Sequence, residues 1–94
     1  MARKTVDYNR SSAEKLPDDK PVVYKIQTEG GRTNYVGIAK RGRVQERILE
    51  HLADGEIPGA TVQVQQVSTI QEAHEVEQRI IVRTQPKYNE QGKE

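Results

Sequence analysis

The chain of 94 residues contains no cysteine. That absence removes a disulfide framework, a thiolate zinc cluster and cysteine nucleophile chemistry together. It also fits a reducing compartment, so a cytoplasmic site of action is expected. No apolar run approaches the roughly 20 residues of a membrane span, and the opening MARKTVDYNR has no apolar segment resembling a secretory signal. A soluble protein with no membrane partner is expected. A charge excess is missing as well: fifteen basic against fourteen acidic side chains leave +1. Affinity for nucleic acid then has to come from local clustering, and KRGR at residues 40–43 is such a cluster.

What is present is one small domain's worth of pattern. Residues 1–20 carry nine charged side chains and few large apolar ones, which reads as a polar leader or linker that Tyr8 and Leu16 could dock. The run PVVYKIQT is rich in β-branched and aromatic residues, EGGRTN supplies turn chemistry, and YVGIA resumes the strand pattern, so a hairpin is expected. From about Arg43 the period changes. Val44, Ile48, Leu49 and Leu52 mark one side of a short amphipathic helix that ADGEIPG ends. ATVQVQQV alternates as a strand with one wet face. Thr69 with Glu72, or Ser68 with Gln71 in a competing register, opens a second helix reaching about Arg83, and Pro86 stops it. The order β-β-α-β-α predicts an α+β domain over residues 21–90, a small three-stranded, mainly antiparallel sheet flanked by helices, with residues 91–94 as a tail.

One carboxylate stands out. At about 100° per residue, Ile70, Ala73, Ile80 and Ile81 fall within about 60° of Glu77, which places a charge inside the apolar stripe. Such a group needs a cation, strong hydrogen bonds or a raised pKa. Arg47 and His51 lie one turn apart on the first helix, with Arg43 a turn earlier, and Tyr24 and Tyr35 can meet across the hairpin. Each has an ordinary reading on its own: a structural salt bridge for Glu77, a capping or surface role for His51, half-buried strand tyrosines, and a solvated turn for KRGR.

Their order carries more than any one of them. Val22-Val23-Tyr24, then Tyr35-Val36-Gly37, Arg47 and His51 on the following helix, Glu77 on the last helix and Asn89 closing Pro-Lys-Tyr-Asn together resemble the GIY-YIG nuclease family over residues 21 to about 90. Val22 stands where the signature has Gly, Ile38 where some members have a polar residue, and the segment IAKRGRVQE is about two residues longer than in many members.

The resemblance implies a metal-dependent endonuclease that hydrolyses DNA phosphodiester bonds by nicking or double-strand cleavage. It implies that Glu77 holds one Mg²⁺ or Mn²⁺ ion, that Arg47 pairs with the phosphate, and that Tyr24, slightly preferred over Tyr35, acts as base or orients water. His51 then orients the tyrosine or shuttles a proton, and Asn89 fixes the geometry. Lys40, Arg41, Arg43 and Lys87 are the expected backbone contacts. A non-catalytic nucleic-acid-binding module of the same fold is the alternative, and a purely structural interaction domain a third. A bare domain behind a polar leader also looks like a bacterial toxin nuclease, delivered into a target cell and paired with an immunity protein.

Overall fold

A computed structural model of the chain describes residues 3–89; the expected tail, residues 91–94, lies outside them. The elements run β1 (Arg3–Asp7), α1 (Arg10–Ala13), β2 (Val22–Gln27), β3 (Thr33–Ala39), α2 (Val44–Asp54), β4 (Thr61–Gln66) and α3 (Ile70–Thr84). The strands form one antiparallel sheet in the order β1-β4-β2-β3. The α+β architecture expected from the periodicities is the one observed, with a fourth strand added.

Alternation along the strands builds two apolar layers. Val22, Tyr24 and Ile26 of β2 and Val62 and Val64 of β4 face Val44 and Ile48 of α2, with Ala13 and Leu16 completing that layer. On the other face Val23 and Val36 meet Ala73, Val76 and Ile80 of α3. The helices are therefore split, α1 and α2 on one face and α3 on the other. Among the described residues no helix is long and apolar enough to cross a membrane.

Residues 3–16, expected as a polar leader, are part of the fold. Arg3–Asp7 pairs residue for residue with β4, which would otherwise leave a row of unpaired backbone groups. An edge strand needs only a thin apolar side, and here Val6 supplies it. The counted charges therefore did not argue against a strand. The Tyr8 hydroxyl donates to the Ile57 carbonyl at 3.1 Å, and Leu16 is buried. Asp18 then anchors α2. Its carboxylate accepts the Val44 N–H at 2.7 Å, and its carbonyl accepts from Gly42 at 2.8 Å, the turn of KRGR closing at φ 84° there. Arg43, the residue at the helix start, makes no capping bond of its own, so a residue 26 positions upstream satisfies one of the free donors of the first turn.

In α3 the choice between registers falls on Thr69. Its hydroxyl accepts the Glu72 N–H at 3.1 Å, and the Glu72 carboxylate accepts the Ser68 N–H at 3.0 Å. The helix ends at Thr84, with Gln85 left-handed at φ 47° ahead of Pro86.

The free edge of β3 is covered by the chain's last described turn. Tyr88 donates its N–H to the Asn34 carbonyl at 2.9 Å. The Asn89 side chain accepts the Val36 N–H and donates to the Val36 carbonyl, both at 2.8 Å.

Candidate active site at the edge of the sheet

Tyr24 is the largest fully buried side chain among the described residues, yet its hydroxyl is not lost in the core. Tyr24 pairs with Gly37 across the hairpin. A Cβ on Gly37 would lie 2.6 Å from both the ring carbon Cζ and the hydroxyl of Tyr24, and 2.9 Å from Cε2 of Tyr35. The missing side chain thus leaves a slot through which the phenol passes toward α2. There it meets His51, with Oη to Nε2 at 2.7 Å. Tyr35 completes an aromatic triangle, its ring centroid 6.1 Å from Tyr24 and 5.0 Å from His51 in an edge-on contact.

The electrostatics set the protonation pattern. Burial pushes the Tyr24 hydroxyl well above its ordinary pKa, with Tyr35 and the Glu77 charge adding to the rise and the Arg47 guanidinium opposing it. His51 moves the other way, lowered by burial and then by the Arg47 charge, with Asp54 and Glu50 opposing. At neutral pH the phenol therefore keeps its proton and the imidazole is neutral; with the imidazole hydrogen on Nδ1, the phenol donates to Nε2.

Glu77 approaches from α3. Its carboxyl pKa is raised by burial, with His74 opposing. The side chain is 17 % exposed, and its one ion-pair partner among the described residues is His74, at a long 3.9 Å. The ordinary reading of a structural salt bridge to Arg47 is not what the structure contains. Arg47 instead reaches Glu50, also at 3.9 Å, and is 43 % exposed, so the guanidinium keeps most of its donors for something else. Beside it a cleft of about 250 Å³ has Ile38 and Ile70 in its wall and Lys40, Arg43, Arg47 and His74 around it.

Tyr24, Tyr35 and His51 are thus in mutual contact, Arg47 and Glu77 both act on the Tyr24 hydroxyl, and Lys40, Arg43 and Arg47 share the cleft. Arg43 is also tied to Glu46 at 2.8 Å. Arg41 is exposed in the turn, and Lys87 sits over the Tyr88 ring at 5.6 Å; neither lines the cleft. Asn89 acts on the strand, clamping the residue between Tyr35 and Gly37. Two contributors escaped the sequence reading: Gly37 as a spacer and His74 beside Glu77. The second had a signal, since residues three apart on a helix are neighbours.

No protein-family model matches this sequence, and no curated protein matches it. Solved structures do. The N-terminal endonuclease domain of UvrC from Thermotoga maritima, a GIY-YIG domain, superposes with a TM-score of 0.66 at 23 % identity for a point mutant bound to its catalytic divalent cation, over 84 % of this chain and 93 % of that one. A second point mutant gives 0.66 at 24 % over 84 % and 92 %, and the form bound to magnesium gives 0.65 at 24 % over 84 % and 93 %. This chain has the GIY-YIG endonuclease-domain fold.

Within a GIY-YIG fold the two triplets divide their work. Val22, the departure from the first, is a fully buried strand residue whose methyl groups fill the core. The glycine of the second triplet cannot be replaced so freely, because a side chain there enters the Tyr24 ring. Asn89 holds the backbone of Val36 in β3. Asn89→Ala leaves the Val36 N–H and carbonyl without their partners, which is expected to destabilise the protein by about 1–3 kcal/mol. Hydrogen exchange at the Val36 amide, read together with the unfolding midpoint, checks this. An amide as protected as in the wild type would show that Asn89 does not hold the edge.

Proposed function

We propose that this chain is a metal-dependent endonuclease that hydrolyses DNA phosphodiester bonds. One observation supports the reading: a hydroxyl–imidazole pair whose phenol is influenced by both a mostly uncommitted guanidinium and a largely buried carboxylate, in a fold shared with an endonuclease domain.

The donor set fits the ion implied. Among the described residues no three His, Cys, Asp or Glu side chains converge as a ligand cluster, so an ion at Glu77 would take one carboxylate from the protein and the rest from water and phosphate. That suits Mg²⁺, which keeps much of its hydration shell, and Mn²⁺ as its substitute. Bound there, the ion supplies Lewis-acid stabilisation of charge on the phosphate and the departing oxygen.

The protein's own groups do the rest. Arg47 offers its fork to the phosphate oxygens, where charge develops. Tyr24 takes a proton from the attacking water while passing its own to Nε2 of His51, so the proton ends on the imidazole and the phenol is restored. This relay favours Tyr24 over Tyr35 as the base, because Tyr24 is the one bonded to His51. Lys40 and Arg43 hold the backbone beside the scissile bond.

The relay sets a pH dependence. His51 must be neutral to accept the proton, and its pKa is lowered from 6.5, so cleavage is expected to stay level on acidification to below that value and only then to fall. A pH–rate profile at constant metal checks this, and an acid limb centred above 6.5 would remove His51 as the acceptor.

The direct test is nicking of supercoiled plasmid with Mg²⁺ or Mn²⁺, with and without chelator, for wild type and Arg47→Ala. Metal-dependent nicking, lowered about 10²–10³-fold in the variant, is expected. DNA binding by a folded wild type that cleaves with neither metal would instead select the non-catalytic binding module.

A further inference from the structure

A second cationic surface lies across α3 from Glu77. At about 100° per residue, Glu77 and Arg79 leave the helix on opposite flanks, about 160° apart. Arg79 and Arg83 line a groove of about 270 Å³ together with Lys25 of β2 and Arg3 of β1, and Val76 and Ile80 form its wall. No carboxylate lines the groove, and among the described residues none of the four cations is in an ion pair. Three elements distant in sequence thus bring like charges to one place. The Lys25 ammonium registers the crowding. Its pKa is lowered by burial and then by the charges of Arg3 and Arg83. Folding has placed mutually repelling groups around an apolar-walled groove, and an anion seated there would relieve the repulsion.

We infer that this groove is a second contact for the phosphate backbone of duplex DNA, separate from the scissile phosphate. The identity of the polyanion rests on the nuclease reading, and the geometry supports it. A helix with its side chains is about 10–12 Å across, close to the width of about 12 Å of a major groove. A duplex lying across α3 can bring one strand to Arg47 and Glu77 and the other to Arg79 and Arg83. The groove adds affinity and orientation and takes no part in the chemistry, since it lies on the far flank of the helix from the reacting groups.

The experiment is fluorescence anisotropy of a labelled DNA duplex in chelator, over a salt series, so that binding is read without cleavage. Wild type is compared with Arg79→Ala/Arg83→Ala and with Lys15→Ala/Arg32→Ala, which removes the same charge from exposed positions elsewhere. The first pair is expected to weaken binding about tenfold at low salt and to reduce the slope of log affinity against log salt by about 2, while the second pair stays near wild type. Because all four side chains are exposed, the variants should remain folded, and an unchanged melting temperature verifies it. An unchanged slope in the Arg79/Arg83 variant overturns the inference, as does an equal loss in the control pair. Loss of inorganic phosphate binding with duplex binding intact also overturns it, giving the groove to a small anion. The two readings fail separately. Plasmid cleavage with an unchanged slope sinks the groove alone, whereas the expected loss of slope in a protein that cleaves with no metal sinks the nuclease and keeps the groove.

Discussion

Glu77→Gln is expected to lower metal-dependent cleavage by about 10³-fold or more and, in the absence of metal, to make the protein more stable. The two effects have one cause. Glu77 sits mostly out of water with no close cation, and burial raises its pKa. A carboxyl whose folded pKa lies above its unfolded value favours the native state while protonated, and that contribution is lost as pH rises through the folded pKa. At neutral pH the ionised group is therefore a burden on the fold, which Gln, neutral and nearly the same shape, removes. Mg²⁺ should reverse the ranking, since an ion that binds only the native state stabilises it in proportion to the logarithm of its concentration over Kd. The measurement is thermal unfolding of both proteins at pH 7 with and without Mg²⁺. The wild type should rise with Mg²⁺ and the variant should not. Equal metal-induced shifts would place the ion away from Glu77, and a metal-free variant less stable than wild type would show that the carboxylate is satisfied by a partner.

Gly37→Ala is expected to damage stability and activity together. The added Cβ would stand 2.6 Å from the Tyr24 hydroxyl and ring, whereas carbon contacts are comfortable at about 3.5–4.0 Å. The phenol must therefore move by about 1 Å, and it is enclosed by Tyr35, His51 and its own strand. Overpacking of this kind is expected to destabilise by about 1–3 kcal/mol. A displacement of that size at a reacting group is worth about 10²-fold in rate, because the hydroxyl would no longer meet His51 Nε2 at 2.7 Å. Gly30→Ala is the matched control, since its Cβ would meet only Thr28 Oγ1, at 3.9 Å. Denaturant unfolding and single-turnover cleavage, at a temperature where both variants are folded, separate the effects. Wild-type activity in a folded Gly37→Ala protein would mean that the position of Tyr24 is not critical.

Much of this was legible along the chain because it depends on near neighbours. β-Branched and aromatic runs about a glycine turn marked β2 and β3, alternation marked β4, the helical period marked α2 and α3, and Thr69 and Pro86 marked where the last helix begins and ends. Glu77 was conspicuous because a charge inside an apolar stripe breaks the pattern around it. The ordered set from Tyr24 to Asn89 pointed to the fold in which those residues converge. The first strand was not legible. An edge strand with a single apolar contact at Val6 resembles a charged linker in composition, and only β4 makes it a strand.

The sequence by itself determined the elements from β2 to α3, which faces the helices bury, and the roster of groups available at the site. Tertiary structure alone decided how that roster is used. The Tyr24–His51 bond spans 27 positions, the Asn89 clamp on Val36 spans 53, and the Asp18 cap on α2 spans 26. Periodicity reports that a face is buried but not what it is buried against. The need for glycine at position 37, the neutral state of His51, and the gathering of Arg3, Lys25, Arg79 and Arg83 into one groove all depend on distances between segments, which exist only once the sheet has closed and the helices have packed on its two faces.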